Sequence, residues 1–163
     1  MKRGIGLFVI LLVTAAVFSG CLVTALIFSD WQGSSVKKDG TYRAKFENAV
    51  YDWTEYVELT IADGQITAVD YDAVNAKGEK KSQDAAYDEN MKSGNESAGL
   101  PAIGPSTFYA EYEQALLQTQ DVDGVSAVAG ATQSYNNFKI LVNALSKKIA
   151  TGDTSEAIVR NAE

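Results

Sequence analysis

One stretch of the chain, residues 125–138, has the residue types that bind an anionic cofactor. Its apolar start ends in Gly130 and Ala131, which lack bulk and let a backbone approach a ligand closely. Thr132 and Ser134 follow where an amphipathic pattern begins, and hydroxyl residues are preferred at helix starts. The free N–H groups and the dipole of a helix start attract phosphate. The same residues would also suit an ordinary strand–turn–helix connection, so both interpretations stay open.

The composition narrows the chemistry that the chain can perform. Its 163 residues include no His and one Cys, which excludes His-based triads, imidazole-ligated zinc, the usual haem ligand, an internal disulfide and a cysteine-ligated cluster. Redox chemistry would therefore need an organic cofactor. The net charge is −7, which repels nucleic-acid phosphates, so we expect no nucleic-acid partner. The acidic residues between 70 and 89 lack EF-hand spacing, and we expect a solvated surface there and no metal site.

The segment Gly130-Ala131-Thr132 resembles the attachment motif of the FMN-binding domain family. This family includes the periplasmic FMN subunits of RNF complexes and of sodium-pumping NADH:quinone reductase. It also includes membrane-anchored FMN-binding lipoproteins of extracellular electron transfer. The family motif is Asp-x-x-Ser/Thr-Gly-Ala-Thr, and a flavin transferase links FMN to its last Thr through a phosphoester. The resemblance covers about residues 40–152, because residues 39–42 and 69–75 also look like the lipoprotein branch.

The resemblance implies four cofactor-binding residues at this turn, namely Thr132 as the FMN attachment site with Gly130, Ala131 and Ser134 around the phosphate. Ser126 and Ala129 stand where the family has Asp and Ser or Thr. A flavin bound without a covalent bond, or another small anionic ligand, therefore stays open as an alternative.

Aromatic residues in the predicted loop of residues 48–54 offer a surface for a flat ring system. Tyr51 and Trp53 could stack on the isoalloxazine ring of FMN, or they could close the end of the core. We take Trp53 as the first candidate for a contact with the ring.

The N-terminal segment predicts a membrane anchor over residues 1–29. Residues 4–28 contain no charge, and this stretch is longer than the roughly 20 apolar residues that span a bilayer. The basic residues Lys2 and Arg3 precede it. This pattern favours an uncleaved signal anchor with the domain on the extracytoplasmic side. The alternative is a lipoprotein signal, because residues 18–21 resemble a lipobox in which Cys21 would be lipidated. Residues 30–39 are a Gly- and Ser-containing linker.

The remaining residues predict one small α+β domain over 40–152, with an antiparallel sheet and two main helices. Alternating apolar residues predict strands over 41–46, 56–61 and 66–71, with an Asp-Gly hairpin turn between the last two. Apolar residues at three-to-four spacing predict helices over 106–120 and from 133 or 134 to 150. Residues 125–128 look like a short strand, and residues 82–91 could form a further helix. In the C-terminal tail, 153–163, residues 157–159 could add a strand.

The function that the resemblance implies is that of a membrane-anchored, extracytoplasmic flavoprotein of the cell envelope. It would carry FMN and transfer electrons between a membrane reductase, or another quinone-linked donor, and an external acceptor. Its partners would include that reductase and a flavin transferase. The alternatives are an envelope protein that binds a small ligand, an FMN-bearing subunit of a larger membrane oxidoreductase, and a structural surface antigen without a cofactor.

Overall fold

The computed structural model describes residues 36–161. The predicted anchor and Cys21 lie outside these residues. Among the described residues, no helix combines the length and apolar character needed to cross a membrane. The domain has a four-stranded sheet with strand order β3-β2-β1-β4. Its strands are β1 (Gly40–Phe46), β2 (Thr54–Ala62), β3 (Gln65–Val74) and β4 (Ala157–Val159).

The first three strands form the antiparallel meander that their alternation predicts. Each of β1 and β2 buries every second residue on the side facing the helices, for example Tyr42 and Ala44 in β1. The β2–β3 turn has positive φ at both central residues, +53° at Asp63 and +72° at Gly64. This is the type I′ geometry that Asp-Gly favours in two-residue hairpins.

Strand β4 makes the sheet mixed, which corrects the prediction of a purely antiparallel sheet. It pairs in parallel with β1, with Ala157 opposite Ala44 and Val159 opposite Phe46. The preceding helix runs back along the sheet, so the chain re-enters it in the direction of β1. The residue pattern of a three-residue strand predicts an extended backbone, but it does not predict whether the strand runs parallel or antiparallel to the neighbouring strand.

The described residues form three helices, where the sequence predicted two main ones and a further one over 82–91. They are α1 (Ala85–Ser97), α2 (Pro105–Thr119) and α3 (Thr132–Thr151). Helix α2 packs on β3, and α3 packs on β1 and β2. Their buried stripes follow the predicted three-to-four spacing, with Phe108, Tyr112 and Leu116 in α2 and Phe138, Leu141 and Leu145 in α3.

Helix α1 is longer than the segment 82–91 and has almost no apolar stripe. Its single buried residue is Asp88. The Asp84 side chain caps it by accepting a hydrogen bond from the Tyr87 N–H at 2.9 Å. The Asp84 cap therefore identifies the start of this helix, which its sparse apolar positions do not.

Residues 125–128 are extended but do not form the predicted strand. Two of their backbone polar groups bond to tyrosine hydroxyls, while the Val125 N–H donates to the Val122 carbonyl and the Val128 carbonyl accepts from the Ala131 N–H. The Val128 N–H donates to the Tyr112 hydroxyl at 3.2 Å, and the Tyr135 hydroxyl donates to the Val125 carbonyl at 2.9 Å. A short apolar run predicts an extended, buried backbone. Here tyrosine hydroxyls bind backbone groups that a neighbouring strand would otherwise pair with.

The free edge of β3 is covered by two side chains of the α2 region. The Gln120 amide accepts from the Ile66 N–H at 2.7 Å and donates to the Ile66 carbonyl at 2.9 Å. The Glu113 carboxylate accepts from the Tyr71 N–H at 2.8 Å. These contacts occupy backbone groups that a further strand would otherwise pair with.

Candidate functional site

The turn before α3 exposes a threonine at the first helical position. Gly130 has φ +89°, and Ala131 is the buried residue that precedes the helix. Thr132 is exposed and begins the helix, one or two residues earlier than the sequence predicted. Its side chain is therefore open to a modifying enzyme.

The start of α3 has backbone donors that no side chain caps. The predicted hydroxyl cap is absent, because the capping position is held by Ala131. Among the described residues, no acceptor binds the N–H groups of Thr132, Gln133 and Ser134. The first turn contains no acidic residue, and the helix is 20 residues long. Three free N–H groups at the positive end of a long helix dipole fit a phosphate.

Gly130 is required by a close approach to α1. A Cβ atom at Gly130 would lie 2.8 Å from the Asn95 side-chain nitrogen. That nitrogen donates to the Ile103 carbonyl at 2.9 Å and lies 3.5 Å from the Gly130 carbonyl. The positive φ and this contact explain the glycine by packing against Asn95.

Ser134 is buried and fixed through its backbone. Its carbonyl accepts a hydrogen bond of 2.6 Å from the Tyr71 hydroxyl, and the residue is 9% exposed. The contribution of Ser134 to an anion site would therefore come from its N–H group.

Buried tyrosines hold the turn in place. The Tyr112 hydroxyl donates to the Ala131 carbonyl at 3.1 Å while it accepts from Val128. The Tyr112 ring stacks on Phe138, with ring centres 5.7 Å apart. Both ends of the turn are thus attached to the aromatic core, which makes the first residues of α3 a rigid platform.

Trp53 lies at a different place from this turn. Its ring packs edge-to-face on Tyr87 of α1, with ring centres 6.1 Å apart. Tyr87 and Asn95 are eight residues apart in α1, or about 12 Å along the helix axis. The structure therefore gathers Gly130, Ala131, Thr132 and Ser134 at one helix start, and Trp53 contacts the opposite end of α1.

A tight hairpin turn precedes Trp53. Val50 and Trp53 exchange backbone hydrogen bonds of 2.9 and 3.1 Å around Tyr51 and Asp52. These two central residues have φ of +49° and +70°, and Tyr51 is 87% exposed. Tyr51 therefore faces solvent, whereas Trp53 is buried.

The sequence prediction missed Glu55, which lies near the start of α3. Glu55 is half-buried, and its carboxyl oxygen lies 3.0 Å from the Tyr71 hydroxyl, the same hydroxyl that binds Ser134. Burial raises the pKa of Glu55 above its ordinary value. Glu55 lies on the same face of β2 as the buried Val57 and Leu59, because residues two apart in a strand share a face. An acidic residue on such an apolar face is the signal that could have identified it.

Comparisons with known proteins place the chain in a family. No protein-family model matches it. The chain is 34% identical over 143 residues to the 15 kDa lipoprotein of Treponema pallidum (strain Nichols), and the match covers 87% of this chain and 94% of that protein. It belongs to the 15 kDa lipoprotein family.

A crystal structure that the chain resembles agrees with the fold of this lipoprotein-family domain. A protein from Clostridium perfringens with a crystal structure is 28% identical, has a TM-score of 0.70, and is matched over 77% of this chain and 99% of its own. A Clostridium thermocellum protein solved by NMR is 22% identical over 73% of this chain and 94% of its own, with a TM-score of 0.44.

Two acidic residues between 70 and 89 of this lipoprotein-family domain are buried and have structural roles, which corrects the expectation of a solvated surface for these two. Asp72, 3% exposed, accepts from the Ser82 N–H and hydroxyl at 3.1 and 2.5 Å. Asp88, 8% exposed, accepts from the Ser106 N–H at 2.9 Å and pairs with Lys92. Within residues 36–161, no group of three or more potential ligands could hold a metal ion.

Proposed function

We propose that this protein is a membrane-anchored flavoprotein of the cell envelope that carries FMN on Thr132. It would transfer electrons between a membrane reductase and an external acceptor. The observation that supports this proposal most is the exposed Thr132 at the uncapped start of a 20-residue helix. FMN, when bound, supplies one- and two-electron redox chemistry.

The residues of the turn fit the phosphate end of such a cofactor. The N–H groups of Thr132, Gln133 and Ser134 would bind phosphate oxygens, and the Thr132 hydroxyl would form the phosphoester. Gly130 and Ala131 would keep the turn narrow, since Gly130 packs on Asn95 and Ala131 is buried. The ring lies beyond a flexible ribityl chain, so contact with Trp53 would occur away from this turn.

The anchor that we propose is a lipid on Cys21. The apolar length of residues 4–28 alone favours an uncleaved helix. The treponemal relative is a lipoprotein, and this favours lipidation of Cys21 in the lipobox-like segment. Residues 22–39 would then separate the lipid from the domain on the extracytoplasmic side.

A second candidate is a flavin or other anionic ligand held without a covalent bond. The free N–H groups of the first turn of α3 can bind phosphate whether or not Thr132 forms a phosphoester. Ser126 and Ala129, which differ from the attachment motif, favour this candidate. An FMN-bearing subunit of a larger membrane oxidoreductase would have the same turn and would differ in its partners.

The test is an intact-mass measurement on denatured protein from cells that contain a flavin transferase. We expect wild type to gain the mass of one FMN residue, Thr132→Ala to lose the adduct, and Gln133→Ala, a neighbouring exposed position, to keep it. Flavin absorbance in the native protein without an adduct after denaturation would support the non-covalent candidate. A colourless protein without an adduct would refute both flavin candidates and leave only an anionic ligand that does not absorb visible light.

A further inference from the structure

The Tyr71 hydroxyl contacts two groups but has one proton to donate. Its oxygen lies 2.6 Å from the Ser134 carbonyl and 3.0 Å from a Glu55 carboxyl oxygen. A backbone carbonyl can only accept a hydrogen bond, and a tyrosine hydroxyl carries a single hydrogen. The shorter contact therefore takes the Tyr71 proton, and the contact with Glu55 needs a proton from the Glu55 side.

We propose that Glu55 is a neutral carboxylic acid in the folded protein, and that it positions the first turn of α3 by leaving the Tyr71 proton to the Ser134 carbonyl. The neutral acid donates its own proton to the Tyr71 oxygen. If Glu55 loses that proton, its carboxylate competes for the Tyr71 hydrogen, and the Ser134 carbonyl loses its partner. The relevance of this turn to flavin attachment rests on the proposed function, whereas the protonation of Glu55 does not.

The surroundings of Glu55 determine which of its two forms is favoured. Polar groups from four elements interact with the Glu55 carboxyl group, namely Tyr71 and Asp72 from β3, Lys81 from the short turn before α1, Tyr109 from α2 and Asn137 from α3.

Desolvation is the largest influence on Glu55 and raises its pKa, and the charge of Asp72 acts in the same direction. The neighbouring polar side chains of Asn137 and Tyr71 and the charge of Lys81 lower the pKa by less. The net shift is upward, which is the direction that the hydrogen-bond geometry requires.

The sign of the pH dependence follows from this shift. In the unfolded chain Glu55 ionises near its ordinary value of 4.5, and in the folded protein it ionises at higher pH. Between these two values the folded state holds one more proton than the unfolded state, so stability falls as pH rises. Below the unfolded value, the contribution of Glu55 to stability is fully present.

The experiment compares wild type with Glu55→Gln in urea unfolding across a pH series, on the full chain purified without FMN. Gln is neutral and can donate to the Tyr71 oxygen, so it reproduces the protonated acid. We expect the unfolding constant of wild type relative to Glu55→Gln to rise with pH above about 4.5, by up to tenfold per pH unit, and then to level off. Wild type relative to Glu58→Gln, a change on the opposite face of β2, should show no such rise, because both proteins keep Glu55.

Hydrogen exchange of the amides in the first turn of α3 tests the positioning role. In wild type, protection at Tyr135 and Asn136 should fall across the same pH interval, and in Glu55→Gln it should stay constant after correction for intrinsic exchange. A wild-type stability that rises with pH relative to Glu55→Gln, or that does not change, would overturn the neutral acid. A stability effect without a change in exchange at α3 would overturn the positioning role.

Flavin attachment is measured separately. If Thr132 gains no FMN in any variant, the proposed function fails, and the link between Glu55 and flavin attachment fails with it. The pH-dependent stability and exchange of the FMN-free protein still report directly on Glu55. The two failures are therefore distinguishable.

Discussion

Removing one hydroxyl from α2 should have opposite effects at two tyrosines that are three residues apart. Tyr112 is fully buried, and its hydroxyl bridges the Val128 N–H and the Ala131 carbonyl. Tyr109 is also buried, but its hydroxyl has no hydrogen-bond partner among the described residues. Changing each to Phe removes the same atom from similar surroundings, so the two variants are matched controls for each other.

The two magnitudes follow from the hydrogen bonds that each hydroxyl makes. In Tyr112→Phe the Val128 N–H loses its acceptor, which costs about 1–3 kcal/mol for a buried donor. The Ala131 carbonyl keeps a bond of 3.0 Å from the Tyr135 N–H, so its loss is small. Because Val128 is only half-buried, we expect destabilisation by about 2 kcal/mol. Tyr109→Phe removes an unsatisfied buried hydroxyl and should stabilise the protein by about 1 kcal/mol.

Equilibrium urea unfolding followed by circular dichroism measures both changes. We expect the midpoint to fall in Tyr112→Phe and to rise in Tyr109→Phe, with unchanged slopes. If both variants lost stability to a similar extent, the difference in hydrogen bonding between the two hydroxyls would be wrong. If Tyr112→Phe were neutral, the idea that this hydroxyl fixes the turn before α3 would be refuted.

Two further changes test backbone features. Gly104→Ala would place a Cβ atom 2.8 Å from the Asp88 carbonyl oxygen and closer still to its carboxylate, so it should cost about 2–3 kcal/mol in urea unfolding. Gly94→Ala in α1 meets no atom within 4 Å and should stabilise by up to about 1 kcal/mol; equal effects of the two would contradict the contact. Replacing Tyr51 and Asp52 by Asn and Gly should raise the melting temperature, because Asn-Gly suits their positive φ values; a lower melting temperature would show that Tyr51 is not strained.

The sequence predicted the parts of the fold that repeat with a clear period. The hairpin around Asp63 and Gly64 and the buried faces of β1, β2, α2 and α3 follow from alternation, helical spacing and turn chemistry. These signals are local, and each element buries the face that its own residues define. The coarse α+β architecture could therefore be predicted.

Features that depend on contacts between distant residues could not be predicted. A register shift between Thr60 and Ile61 changes which residues of β3 face the core, so Ile66 and Tyr71 are buried on the same side despite an odd spacing. The direction of β4 and the tyrosine hydroxyls that bind residues 125–128 are likewise set by tertiary packing.

The candidate site likewise has features that a local motif predicts and features that depend on contacts between distant residues. Thr132 and its neighbours could be proposed from a local motif, and the structure places them at a helix start. The role of Gly130 depends on Asn95, which is 35 residues away in sequence. The contact of Glu55 with Ser134 passes through Tyr71, so three separate elements had to be placed before it could be recognised.

The covered edge of β3 affects how copies of this protein can behave when they are crowded. A protein tethered to a membrane, as proposed above, is confined to two dimensions, where neighbouring copies collide often and share one orientation. A long open edge strand would then allow copies to join sheet to sheet. The side chains of Gln120 and Glu113 occupy that edge at Ile66 and Tyr71, and the other edge, β4, has only three residues. At high surface density these two features would oppose the joining of copies through their sheet edges.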